Sequence, residues 1–440
     1  MSRRATDVGG CGPRRVAATS RSDPATSPRP ARSGRRRPKE PPVSIFRRAQ
    51  STSRLPSSSS SSSSSSIVSP RRSLLPALAL VAVVAITASA CSSTDSSSAG
   101  STTSASSAAA ASSGDPAPAA GAGTLRLGYF PNVTHASAVL GVKDGTFQEA
   151  LGSTKLETTT FNAGPAAIEA LLSGAIDATF VGPNPAINAF AKSNGDAIRI
   201  VAGATNNGAA LVVKPEVNGP ADLKGTTLAT PQLGGTQDVA LRKWLLDNAL
   251  KTQTTGGADV DIVNQENAQT LDLFKQGEID GAWLPEPWAS RLVLEAGGKT
   301  LVDEKTLWPD EKFQTTILIS SRQFLEDHPD TINALIKGEV AETEAIEADP
   351  TKAQTELNAA IGELTGKPLA DTTIQAAFAN IQPTWDPLAG TLDDIAANGV
   401  EAGTLASAPD LNGIYDLREL NKVLMAAGKP PVSAADLGQE

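Results

Sequence analysis

The chain has 440 residues, a formal net charge of −9, two cysteines and two histidines. The 90 residues before Cys91 hold 16 basic and 3 acidic residues, so the 350 that follow hold 22 and 44, near −22; so acidic a body argues against nucleic acid and anionic lipid as partners. With no cysteine after Cys91 and only His135 and His328 as imidazoles, a disulfide framework, a cysteine nucleophile, a thiolate metal site and most histidine-built metal sites are excluded.

Residues 1–67 combine arginine runs, prolines and an unbroken serine tract at 57–66. They have no apolar periodicity and read as disordered, and as an over-extended reading frame whose natural start is at or near Val68. Arg71-Arg72, an apolar run at 74–86 and Ala88-Ser89-Ala90 before Cys91 read as a signal peptide over 68–90. The run is shorter than the roughly 20 residues of a membrane span. A cysteine at the cleavage point is similar to the bacterial lipobox, which implies lipid on Cys91 and a place on the extracytoplasmic face of the cell membrane. Residues 91–123 are nearly all Ser, Ala, Thr, Gly and Pro, a flexible tether.

Order is expected from Thr124. Residues 125–130 alternate as a strand and 134–142 follow as a helix; 161–172 read as a strand end and a helix with Pro165 in its first turn. Residues 168–182, IEALLSGAIDATFVG, return about a hundred residues later as 271–285, LDLFKQGEIDGAWLP. Each copy reads as an amphipathic helix ended by glycine, then Ile-Asp, an apolar strand, a proline-marked loop and a second helix. Asp177 and Asp280 fall at the strand starts, where they cap backbone amides. Two such copies imply two similar α/β lobes whose strands aim their carboxyl ends at a shared space.

Between the copies, 198–204 and 209–213 read as strands, and the loop 214–221 is the expected first crossing between lobes. A strand at 227–230, the pair Gly234-Gly235, Thr236 as N-cap and an amphipathic helix come next. Residues 315–320 return the chain to the first lobe, and helices fill the rest to a last one at 415–427. Lobe I is thus 124–213 with 313–440, and lobe II is 214–312. Two crossings make a hinge.

Four helix starts follow strand ends: Thr134/His135, Gly164/Pro165, Asn184/Pro185 and Gly235/Thr236. The unpaired amides of a helix start carry roughly +0.5 charge, so each is an anion site that needs no lysine. Asn132, Asn184, Thr236 and Gln237 add directional donors, and His135 either donates to an oxyanion or caps its helix. Trp283 either walls the pocket or packs in the core; Glu286 accepts from an amine or fixes a neighbouring backbone. Gly-x-Ser-x-Gly, Gly-x-x-x-x-Gly-Lys and His-Glu-x-x-His are all missing from the sequence, which argues against an enzyme, a cofactor or a bound metal.

The segments LRLGYFPN, FNAGPAAIEALLSGAIDATFVGPNPAINAF, DLKGTTLATPQLGGTQ, GEIDGAWLPEPW and FLEDHPDTINALI, in this order over about 124–425, resemble the solute-binding proteins of bacterial ABC importers of the nitrate/sulfonate/taurine group. The resemblance implies a type II periplasmic-binding fold of two Rossmann-like lobes, a monomer that captures a small anion, foremost an aliphatic sulfonate, and hands it to the permease's transmembrane subunits. The strand-end residues within 130–135, 182–184 and 234–237 match the cleft-lining positions of that group. Pro285-Glu286-Pro287 stands where sulfonate binders tend to have Trp-Asp-Pro, and Gly235-Thr236 where they have Gly-Ser. Nitrate, taurine, a neutral or amine-bearing heterocycle such as a thiamine-pyrimidine precursor, and a receptor ectodomain without a permease therefore stay open.

Overall fold

Two mixed β-sheets divide the strands between them in a computed structural model that describes residues 121–254 and 258–440. The expectations on the leader, the signal peptide, Cys91 and the tether up to residue 120 lie outside the described residues. The last tether residues are anchored. Ala122 is buried, its N–H donates to Thr331 Oγ1 (3.0 Å) and its carbonyl accepts from Thr154 Oγ1 (2.7 Å).

In chain order the strands are β1 Thr124–Tyr129, β2 Lys155–Thr160, β3 Ala178–Val181, β4 Ile198–Asn207, β5 Ala209–Val213, β6 Thr227–Thr230, β7 Asp261–Asn264, β8 Gly281–Pro285, β9 Lys299–Asp303, β10 Gln314–Ser321, β11 Ile381–Pro383, β12 Tyr415–Asp416 and β13 Gly438–Gln439. The first sheet runs β13-β12-β4-β10-β3-β1-β2, with β11 also paired to β4; the second runs β7-β6-β8-β5-β9. The helices are α1 Ala136–Lys143, α2 Thr146–Leu151, α3 Gly164–Leu172, α4 Pro183–Lys192, α5 Thr236–Asp247, α6 Asn267–Gln276, α7 Trp288–Ala296, α8 Arg322–Asp327, α9 Pro329–Ala348, α10 Pro350–Thr365, α11 Asp371–Ala379, α12 Leu392–Glu401 and α13 Arg418–Ala426.

The repeat explains the central strands of both sheets. Its first copy ends in β3, parallel to β1; its second ends in β8, parallel to β6. Asp177 Oδ2 accepts the Arg126 N–H of β1 at 2.8 Å, and Asp280 Oδ2 accepts the Thr227 N–H of β6 at 2.9 Å. In each half the aspartate also pairs with a base, Arg126 or Lys214.

The chain changes sheet earlier than the loop at 214–221. β5 pairs with β8 and β9, so the crossing is at Gly208, between β4 and β5. Val212 and Ala282 pack toward one face of the second sheet, while Leu211, Val213 and Trp283 pack toward the other. This period of two needs helices on both faces, and they come from α5 on one side and from α6 and α7 on the other. The return crossing lies between β9 and β10.

Candidate functional site

The carboxyl ends of β1, β2 and β3 in the first sheet meet those of β6 and β8 in the second, which is where ligands sit in open α/β sheets. They enclose a cavity of about 30 Å3. Its wall is built by turns: Phe130, Asn132, Thr134 and His135 after β1, Asn162–Gly164 after β2, Gly182 and Pro185 after β3, Pro231, Gln232 and Gly235–Gln237 after β6, and Pro285 at the end of β8. Thr315 and Thr316, where β10 starts, close the back. Among the described residues, no aspartate, glutamate, lysine or arginine lines it.

Of the residues singled out from sequence, Asn132, His135, Gly164, Gly235, Thr236 and Gln237 border this one cavity. Asn184 does not. It is buried under α12, with Nδ2 donating to the Ile395 carbonyl at 3.3 Å. Trp283 lies in the core of the second half, since strand alternation turns it to the face shared with Leu211; it packs on Trp244 and donates Nε1–H to Glu304 at 2.7 Å. Glu286 sits beside the crossing. It accepts from Ser290 N–H (3.1 Å), Ser290 Oγ (2.9 Å) and Asn380 Nδ2 (2.7 Å), and its own N–H donates to Gly208 O. Burial pushes its carboxyl up, and the bonds from Asn380 and Ser290 pull it back.

The four helix starts are unequal. Residues 133–135 form a 3-10 turn with two amides engaged: His135 N–H bonds Asn132 O at 3.0 Å and Thr134 N–H bonds Glu286 O at 3.4 Å. α4 opens Pro183-Asn184-Pro185, so two of its first three positions have no N–H. α3 offers the Gly164 amide before Pro165. α5 offers Thr236 and Gln237, first-turn amides that no intrahelical carbonyl reaches. The strong donors therefore come from α3 on one side and α5 on the other.

Thr236 is the first residue of α5 and Gly235 is its N-cap, one residue earlier than the sequence suggested. Freed from capping, the Thr236 hydroxyl is buried with no hydrogen-bond partner among the described residues. It abuts Gly182 of the first half so closely that a methyl group on Gly182 would overlap it. His135 is buried, and desolvation lowers its pKa to about 3, so the ring is neutral. Phe130 N–H donates to Nδ1 (3.4 Å), which places the ring proton on Nε2 as a donor. Asn132 Oδ1 accepts from Trp288 Nε1 at 2.9 Å, which leaves its amide NH2 to donate elsewhere.

Asn162, Gln232, Thr315 and Thr316 were not singled out from sequence. Gln232 lies within the glycine-rich PQLGGTQ segment, and Thr315-Thr316 are polar residues opening an apolar strand, a signal that could have been read.

The profile of the NMT1-like family matches residues 119–361, more than half of the chain. The chain belongs to the NMT1-like family. This NMT1-like chain is 27% identical to the taurine-binding periplasmic protein of Escherichia coli (strain K12) over 231 residues, 52% of this chain and 69% of that protein. A putative binding protein of Brucella abortus is 22% identical over 41% of this chain and 54% of its own length. Among solved structures, the alkanesulfonate-binding protein of Xanthomonas axonopodis pv. citri bound to MOPS superposes with a TM-score of 0.56 at 20% identity, over 66% of this chain and 97% of that one. The periplasmic nitrate-binding protein of Synechocystis gives 0.59 at 14% identity, over 70% and 90%. These likenesses show the fold: type II periplasmic binding protein, two lobes joined by two crossings. The relatives named here are binding proteins rather than enzymes.

Proposed function

We propose that the chain is the substrate-binding lipoprotein of an ABC importer. It captures a small anion, foremost an aliphatic sulfonate, between its lobes and delivers it to the permease without chemical change. The observation that carries this reading is the uncharged cavity bounded by the starts of α3 and α5 from opposite lobes. Helix-start amides, a neutral His135 and the Asn132 amide are all donors, and an oxyanion accepts from several at once. Desolvating a lysine in so enclosed a space would be costly, whereas fixed amide dipoles are already oriented. The taurine-, alkanesulfonate- and nitrate-binding relatives support the ligand class.

Hinge closure about Gly208 and the 304–313 segment then joins ligand capture to a shape the permease recognises. Lipid on Cys91, with the run after it as tether, keeps the monomer at the extracytoplasmic face. A thermal-shift screen of sulfonates, taurine, nitrate and pyrimidines tests the reading. A matching anion at a hundredfold excess over Kd stabilises by about 2.7 kcal/mol. A shift from a neutral heterocycle, with every anion silent, would contradict it.

A further inference from the structure

An asparagine side chain offers donors from one end of its amide and an acceptor from the other, and a half-turn of the group exchanges them. An anion site built on asparagine therefore needs something that decides which end faces in. Asn132 borders the inner cavity and is 5% exposed. Its backbone is fixed in the turn after β1: its N–H donates to Phe130 O (2.8 Å) and its carbonyl accepts from His135 N–H (3.0 Å). Its side chain is fixed from the other lobe, where Trp288 Nε1–H donates to Oδ1 at 2.9 Å. An indole only donates, so it selects the oxygen and never the NH2. A hydroxyl or an amide in its place would accept either end.

The indole is itself held. Trp288 is the first residue of α7, and Arg291 lies over its ring at 4.6 Å while donating to Glu295 from Nε (2.9 Å) and Nη2 (3.2 Å). Two residues earlier, Glu286 joins the same lobes: its carbonyl accepts from Thr134 N–H (3.4 Å) and its carboxyl group from Asn380 Nδ2 (2.7 Å). The turn after β8 thus grips the turn after β1 where the cavity's donors stand. A second cavity asparagine is bonded in the opposite sense. Asn162 Nδ2 donates to Glu266 Oε1 at 2.8 Å, so that cross-lobe bond consumes an N–H, whereas the Trp288 bond leaves both N–H groups of Asn132 to the cavity side.

We infer that Trp288 is a positioning residue for the anion: its indole turns the Asn132 NH2 toward the cavity, and does so only when the lobes have met. Closure then supplies a donor as well as a lid, and the site favours a head that only accepts hydrogen bonds over one that donates them. This rests on the reading of the inner cavity as an anion site.

Calorimetric titration of the full chain with methanesulfonate and hexanesulfonate tests it. Trp288→Phe keeps an aromatic ring beside Arg291 and loses the N–H; affinity for both sulfonates should fall about tenfold, with unchanged melting of the unliganded protein. In an Asn132→Ala background the same change should cost about twofold at most. Glu266→Ala breaks the other cross-lobe bond at an exposed position and should cost about threefold at most. Without any substitution, the Trp288 indole N–H should exchange with solvent more slowly in the sulfonate complex than in the unliganded protein. Equal losses in Trp288→Phe and Glu266→Ala, a Trp288→Phe loss that persists without Asn132, wild-type affinity in Trp288→Phe, or equal indole exchange in both states would each overturn the inference and leave the anion reading standing. If the wild-type protein binds neither sulfonate, both fall.

Discussion

The two copies of the repeat start their strands alike and end them differently. Asp177 and Asp280 each accept an amide of the neighbouring parallel strand, and Asp177 N–H and Asp280 N–H each return a bond of 2.8 Å to that same residue's carbonyl. After β3 the chain runs straight into α4 through Gly182, which borders the cavity and abuts Thr236 of the other lobe. After β8 it runs through Glu286, which binds Gly208 at the crossing and Asn380 of the far side. One exit builds the pocket and the other builds the hinge. The strand start repeats because any parallel strand must satisfy its neighbour's amide; the exit is free to serve whatever the cleft requires.

The division of labour gives its largest expected effect at Gly182. In Gly182→Ala the added methyl meets the Thr236 hydroxyl and blocks lobe approach, so ligand affinity should fall about a hundredfold, roughly 2.7 kcal/mol. Melting of the unliganded protein should hardly change, because Gly182 has an ordinary extended backbone (φ −74°). A matching drop in thermal stability would instead make this exit part of the core. At the other exit the pattern reverses. Glu286→Ala strips acceptors from Asn380 and Ser290 and should cost about 2 kcal/mol in urea unfolding, with Glu286→Gln milder.

The halves can also be told apart by pH. Burial raises the carboxyls of Glu304, beside Trp283 in lobe II, and Glu339, which accepts from Ser137 in lobe I, to about 8. The folded state therefore holds protons that the unfolded chain releases above about 4.5. Stability from these groups is complete below that pH and is lost as pH rises toward 8, by up to about 1.4 kcal/mol per pH unit for each. Glu304→Gln and Glu339→Gln should each flatten the curve of melting temperature against pH; a curve unchanged in both would mean that neither carboxyl is neutral. The smallest effect is expected at the shared strand starts. Asp177→Asn should cost about 1 kcal/mol and Asp280→Asn somewhat less, since Asp177 is 8% exposed and Asp280 29%. Equal costs would show that burial does not grade them.

Much of this was legible in the chain. The repeat announced two sheets, the aspartates announced their capping role, and the glycine and threonine positions after β1, β2 and β6 pointed to one cavity. The first crossing was misplaced because β4 and β5 are both apolar, and an apolar run does not say which sheet it joins. Asn184 could not be placed because its partner, Ile395, lies 211 residues away on α12. Trp283 was undecidable between pocket and core until the register Leu211↔Trp283 fixed its face.

The central claim is that neutral donors from both lobes, and no fixed cation, hold the anion. Calorimetric titration of a bound sulfonate from pH 5 to pH 8 tests it most directly, because His135 stays uncharged well above its pKa of about 3. The account predicts one affinity across the range. Binding that strengthens as pH falls through 6.5, the ordinary histidine value, would show a histidinium at work and contradict it.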